Sequence, residues 1–159
     1  MGLTNKNITV MIIFEVNEMT KQDLINGLNQ DLAHEYQAVI AYTAYAAEVT
    51  GPFRPQLRDF FLEEAADELK HAQTLADKIA ALGGVPTVEP APVPQATSAR
   101  TMLEAVLAAE TETIERYAVR MAQAEELGEL ALVAQIHEMI VDETHHKEEV
   151  AKMLEGFPE

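Results

Sequence analysis

The chain has 159 residues, with 11 Lys and Arg against 27 Asp and Glu for a net charge of -16, and it contains no cysteine. That length fits one domain with a single core, burying about two-thirds of the surface its unfolded form exposes, and the charge argues against nonspecific DNA binding and anionic membrane surfaces, both of which need a cationic face. The lack of cysteine excludes disulfides, thiolate catalysis, iron–sulfur ligation and Cys-ligated zinc, so a bound metal must rest on carboxylates and imidazoles; it also agrees with a cytoplasmic location.

Residues 8–14, Ile-Thr-Val-Met-Ile-Ile-Phe, form a β-prone apolar run too short to span a membrane. One Lys precedes it and no small-x-small cleavage site follows, so it makes a poor secretory signal. Residues 1–18 are read as an N-terminal extension of unknown role, with Met19 as an alternative start, and residues 19–159 as one helical domain. Thr20 and Asp23 predict a capping box opening helix one, which runs to about Thr50 and stops at Gly51-Pro52. Helix two starts near Pro55, suited to a first turn, and stops at Gly83-Gly84 ahead of Pro86.

Between Val85 and Thr97 stand Pro86, Pro90, Pro92 and Pro94. An extended segment of that length reaches about 40 Å at roughly 3.1 Å per residue. A helix of some 28 residues is about 42 Å long, so the linker returns along the bundle and helix three runs parallel to helix two. Ser98 is the expected cap of helix three, which continues to about Glu126, and Gly128 turns the chain into helix four, ending before Gly156-Phe157-Pro158. Short turns within each pair and one long crossover predict an all-α, up-down-down-up four-helix bundle.

Glu35, Tyr42, Glu68 and His71 recur as Glu110, Tyr117, Glu143 and His146, each offset by 75 positions. Bundle cores recur at alternating steps of four and three. On that rhythm helix one offers Leu28, Leu32, Glu35, Val39, Tyr42, Ala46 and Val49, and helix two Leu57, Phe61, Glu64, Glu68, His71, Leu75 and Ile79. Helix three offers Leu103, Leu107, Glu110, Ile114, Tyr117 and Met121; helix four offers Leu132, Ile136, Met139, Glu143, His146, Val150 and Met153. Glu35, Glu68, Glu110 and Glu143 therefore fall on apolar seams at one level of the bundle.

Burying four carboxylates together costs several kcal/mol per ion, and their repulsion adds to it. No Lys or Arg stands at the matching seam positions, whereas two divalent metals balance four carboxylates charge for charge. Four oxygen and two nitrogen ligands suit iron or manganese, with zinc also accommodated, and calcium does not ask for imidazole.

These residues resemble the ligand pattern of ferritin-like di-iron carboxylate proteins: Glu35, Glu68-Leu69-Lys70-His71, Glu110 and Glu143-Thr144-His145-His146. The spacing is most similar to bacterioferritins over roughly residues 20–155, including Tyr42 and the turn Gly83-Gly84-Val85-Pro86. The resemblance implies a ferritin-like bundle in which Glu68 and Glu143 bridge two iron ions, with Glu35 and His71 completing one shell and Glu110 and His146 the other. Those six residues are then both metal ligands and catalytic groups, in a homo-oligomer acting on Fe(II) with dioxygen or hydrogen peroxide. Three departures narrow it. Leu69 stands where bacterioferritins carry a haem-ligating Met, so no haem is expected. The 13 residues after His146 leave no room for a fifth helix, which argues against a 24-subunit cage. Thr113 and the absence of cysteine disfavour the rubrerythrin type.

The leading functional expectation is a cytoplasmic ferroxidase for iron storage or detoxification. The alternatives are a small-oligomer di-iron peroxide or oxygen reductase without storage, and a non-catalytic metal-binding bundle. Tyr42 and Tyr117 are read as packed aromatics bonded to ligand carboxylates rather than redox groups. Glu64, one turn before Glu68, and Asp67 are open between a role beside the metals or at the iron entry and a solvated acidic patch. His34, His137 and His145 fall off the seam, and Met102, Met121, Met139 and Met153 are read as core filler. A nucleic-acid-protecting shell needs basic tails that neither terminus supplies.

Overall fold

The computed structural model describes residues 18–157, and the apolar run at 8–14 lies outside them. Its regular structure consists of α1 (Lys21–Glu48), α2 (Arg54–Ala81), α3 (Ala99–Glu126) and α4 (Leu130–Glu155), with no strand among the described residues. The helix ends follow their local chemistry. Thr20 Oγ1 accepts from the Asp23 amide at 3.1 Å while Asp23 accepts from the Thr20 amide at 3.0 Å, a reciprocal cap that satisfies two otherwise orphaned donors. Ser98 and Thr101 form the same device on α3. Phe53 gives α2 no side-chain cap, and Pro55 in its first turn lacks the amide hydrogen that would need one. Gly83, at φ +85°, closes α2: its amide bonds to Ala80 O and the Gly84 amide to Ile79 O, each at 2.9 Å.

The crossover lies along α1. Asn29 brackets its start, donating to Val85 O at 3.2 Å and accepting from the Thr87 amide at 2.7 Å. Further on, the Ala91 amide bonds to Ala33 O at 2.8 Å, Gln37 reaches Pro92 O, and Tyr45 donates to Pro94 O at 3.0 Å. Residues 29, 33, 37 and 45 are spaced in multiples of four, one stripe of a helix. The linker thus climbs α1 from its first turns towards its last, and α3 starts at the far end, parallel to α2.

Two apolar clusters fill the bundle. One holds Leu24, Leu28, Leu32, Leu75, Ile79, Leu132 and Ile136; the other holds Tyr45, Val49, Leu57, Phe61, Leu103 and Val150. Each buried Leu, Ile or Phe contributes about 1.5–3 kcal/mol relative to exposure. Met102 and Met139 are buried and Met121 and Met153 pack at the core margin, while His34 is half-buried and His137 and His145 are exposed.

The seam rhythm holds on α2, where all seven predicted positions are buried, and differs on α3. There Leu103, Glu110 and Tyr117 are buried as predicted, but the alternate positions are Val106, Thr113 and Arg120, with Leu107, Ile114 and Met121 only half-buried. This rotation brings a cation inside. Arg120 Nε donates to Asp31 Oδ2 at 2.8 Å, both residues being buried, and the guanidinium rests against Gly27, where a Cβ would lie 1.5 Å from Arg120 Nη1. The interior cation serves Asp31 and not the four glutamates.

Candidate metal centre

Between the two apolar clusters the four helices bring Glu35, Glu68, Glu110 and Glu143 together, at 2%, 2%, 1% and 0% exposure. His71 is buried beside them and His146 is half-buried. The ligand atoms form two overlapping groups, Glu35, Glu68, His71 and Glu143, then Glu68, Glu110, Glu143 and His146, the atoms within each lying within 4.8 Å of one another. Glu68 and Glu143 belong to both. All six sequence-predicted residues therefore meet, and the pair shared between groups is the pair the resemblance implies as bridging.

Both imidazoles turn Nδ1 into the cluster. His71 Nδ1 lies 3.0 Å from Glu143, 3.1 Å from Glu68 and 3.8 Å from Glu35, and His146 Nδ1 lies 3.1 Å from Glu64 and 3.7 Å from Glu143. Nonetheless Glu35 Oε2, Glu64 Oε2, both Glu143 oxygens and His146 Nδ1 make no hydrogen bond of normal alignment. A buried polar atom without a partner costs about 1–3 kcal/mol, more when charged. Four of these atoms, on Glu35, Glu143 and His146, belong to residues of the two groups, and such unshared electron-pair donors brought together fit cations.

The protonation states describe how the metal-free protein tolerates this. Burial first, then the charges of Glu68 and Glu143, hold Glu35 well above the usual carboxyl value. Burial and contact with Glu143 do the same to Glu110. Burial opposes ionisation of Glu143 too, but Glu110, His146 and His71 outweigh it and hold that carboxyl low. His71 is pushed up to about 11, since Glu143 and Glu68 overcome the cost of burying its charge, and His146 is raised by Glu143 and Glu64 against the same cost. Protons thus occupy the ligand atoms that cations would take.

Around the ligands the 75-residue repeat continues. Tyr42 on α1 donates to Glu110 on α3 at 2.6 Å, and Tyr117 on α3 donates to Glu35 on α1 at 2.5 Å, as the packed-aromatic reading expected. Outside the imidazoles, Asp142 lies 3.5 Å from His71 Nε2 and Asp67 lies 3.8 Å from His146 Nε2. Such carboxylates orient a ligating ring and raise its basicity. The sequence reading named Asp67 and missed Asp142, although the same offset of 75 connects them. Glu64 is not part of a solvated patch: it is buried against His146, and burial raises its carboxyl to about 7. Its repeat partner is Met139, so the two halves of the site differ at that position.

Comparison with known proteins agrees with this geometry. The family profile described as the ferritin-like domain matches residues 25–159. The nutrient stress-induced DNA-binding protein of Synechococcus sp. is 30% identical over 118 residues, covering 68% of this chain and 67% of that protein. Among solved structures, a ferritin-like diiron-carboxylate protein from Bacillus anthracis str. Ames superposes with a TM-score of 0.83 at 48% identity, over 84% of this chain and 96% of that one. Dps from Staphylococcus aureus shares the fold, with a TM-score of 0.78 at 22% identity over 86% of this chain and 97% of that one. With its bundle, its clustered glutamates and histidines and these relatives, the chain belongs to the ferritin-like family.

Proposed function

We propose that the chain is a ferroxidase that binds two ferrous ions at Glu35, Glu68, His71, Glu110, Glu143 and His146 and oxidises them for iron storage or detoxification in the cytoplasm. The observation that carries this is the pair of overlapping ligand groups sharing Glu68 and Glu143, with carboxylate oxygens buried and unsatisfied. Two ferrous ions give up one electron each, and either dioxygen takes both with two protons to leave as hydrogen peroxide, or hydrogen peroxide takes both with two protons to leave as two waters.

The residues of the chain set the conditions for that exchange. Four carboxylates in a buried layer favour the more highly charged metal product, and shared carboxylates can shift between bridging and terminal binding as ionic radius changes. The hydroxyls of Tyr42 and Tyr117 fix Glu110 and Glu35 from the opposite helix, and Asp142 and Asp67 stand 3.5 and 3.8 Å from the outer nitrogens of the imidazoles, placed to draw closer when the rings ligate. The Synechococcus relative is named for DNA binding, but a net charge of -16 gives this chain little to offer a phosphate backbone, and DNA is not assigned as a partner.

The test is an aerobic titration of metal-free protein with Fe(II), from two equivalents per chain upward, following oxidation and the iron that co-elutes. Rapid oxidation with iron retained far beyond two per chain is the expected storage behaviour. Oxidation that stops near two per chain turns the assignment to a redox enzyme. Binding of metal without consumption of oxidant refutes the ferroxidase and leaves a metal-binding bundle.

A further inference from the structure

We propose that dioxygen reaches the acid cluster through a cavity between α1 and α3, separate from the route a cation takes between α2 and α4. This rests on the ferroxidase reading and names which oxidant that site uses. The α1–α3 cavity has a volume of about 200 Å³, and Ala38, Ala41, Ala105, Ala108 and Ala109 line it together with polar side chains, among them His34 and Gln37. Five methyl groups where larger side chains would interlock leave a space whose surface is mainly apolar, which favours small apolar guests. Tyr42, Glu35 and Glu68 also line it, so it opens directly onto the ligands. Glu35, 98% buried, has its Oε2 without a hydrogen-bond partner. The charged side chains Glu112 and Arg116 stand at its margin, Arg116 bonded to Thr113 Oγ1 at 2.7 Å.

The cavity between α2 and α4 is different in kind. It has a volume of about 470 Å³ and reaches His71 and His146, with Asp67, Glu138 and Asp142 against the single cation Lys70. A ferrous ion approaching there meets exposed carboxylates that replace lost hydration, whereas the α1–α3 cavity presents it a mainly apolar surface on the way to Glu35 and Glu68. Dioxygen has no hydration shell to lose and no hydrogen bonds to satisfy, so it partitions into the mainly apolar cavity. Hydrogen peroxide needs hydrogen-bond partners and belongs to the polar side.

Ala38→Leu and Ala105→Leu fill the cavity without touching a ligand, and Glu138→Lys reverses a charge on the other route. Xenon NMR on the metal-free protein reads occupancy independently of any reaction: the wild-type protein binds xenon and both Leu variants lose it. With Fe(II), the Leu variants need about tenfold more dioxygen for half-maximal rate, with unchanged Co(II) stoichiometry, unchanged Fe(II) dependence and an unchanged rate when peroxide is the oxidant. Glu138→Lys shifts the Fe(II) dependence alone. Oxygen dependence unaltered in both Leu variants, or no xenon in the wild-type cavity, overturns the route while leaving the ferroxidase intact. A wild-type protein that binds two Co(II) and consumes neither oxidant overturns the ferroxidase reading and the route with it.

Discussion

Tyr117 of α3 donates a 2.5 Å hydrogen bond to Glu35 of α1, and through it the second half of the chain positions a carboxylate belonging to the first. Tyr42 returns the contact to Glu110. Tyr117→Phe keeps the ring in its apolar packing and removes only the hydroxyl. Loss of an outer partner of this kind costs roughly 10- to 100-fold in metal affinity or activity. Co(II) titration of Y117F and Y42F should show that loss with the helical content unchanged; affinities equal to wild type would reduce both tyrosines to packing.

Gly27 gives a prediction whose sign is opposite to helix propensity. In a helix interior Gly→Ala ordinarily gains about 1 kcal/mol. Here the added Cβ would lie 1.5 Å from Arg120 Nη1, so the guanidinium must leave Asp31, and breaking a buried pair costs about 3–5 kcal/mol. Urea unfolding should find G27A destabilised in the wild-type background. In an Arg120→Met, Asp31→Leu background, where no pair remains to break, the same substitution should be neutral or stabilising.

The two metal positions should bind unequally, because Glu64 lies beside His146 while its repeat partner is Met139. An added carboxylate strengthens cation binding, here on the order of tenfold. Calorimetry with Co(II) should resolve a tighter and a weaker event in the wild-type protein, and Glu64→Met should draw the two together. A single class of site in the wild-type protein would show that Glu64 takes no part.

The stability of the metal-free protein should fall as pH rises from mildly acidic to alkaline. Glu35 and Glu110 are raised above 4.5, so their contribution is complete below that value and is lost as pH climbs through their folded values. His71 contributes in the same direction, its stabilisation being complete below 6.5 and lost on approach to about 11. Glu143, held low, contributes oppositely and loses its share only in acid. Cations displace the protons on these ligands, so metal binding releases protons and its stabilisation grows with pH. Melting temperatures with and without Co(II) should diverge as pH is raised; curves that stay parallel would contradict this assignment of protons.

The bundle was legible because its signals are local and repeated: Thr20 with Asp23, Ser98, the glycines after α2, the spacing of the four prolines. The six clustered residues were legible because the 75-residue repeat marks them twice. Arg120 was not, since it enters the core only if α3 turns to bury Val106, Thr113 and Arg120 in place of Leu107, Ile114 and Met121. Leu107, Ile114 and Met121 are the more apolar set, and the seam rule chooses them. What overrides the rule is a partner 89 residues away, Asp31, and a glycine that leaves room for the guanidinium. Glu64 was ambiguous for a similar reason: an acid one turn before a ligand looks solvated until the opposing helix places His146 against it.

Each helical hairpin, α1 with α2 and α3 with α4, makes most of its contacts within itself and carries one complete Glu-Tyr-Glu-His set. Neither can finish a ligand group alone, for each group draws three residues from one hairpin and one from the other. The centre is in effect a two-fold dimer interface closed into one chain by the crossover. Cations bound there would act as a clasp between two half-molecules, holding together what the linker merely keeps from drifting apart.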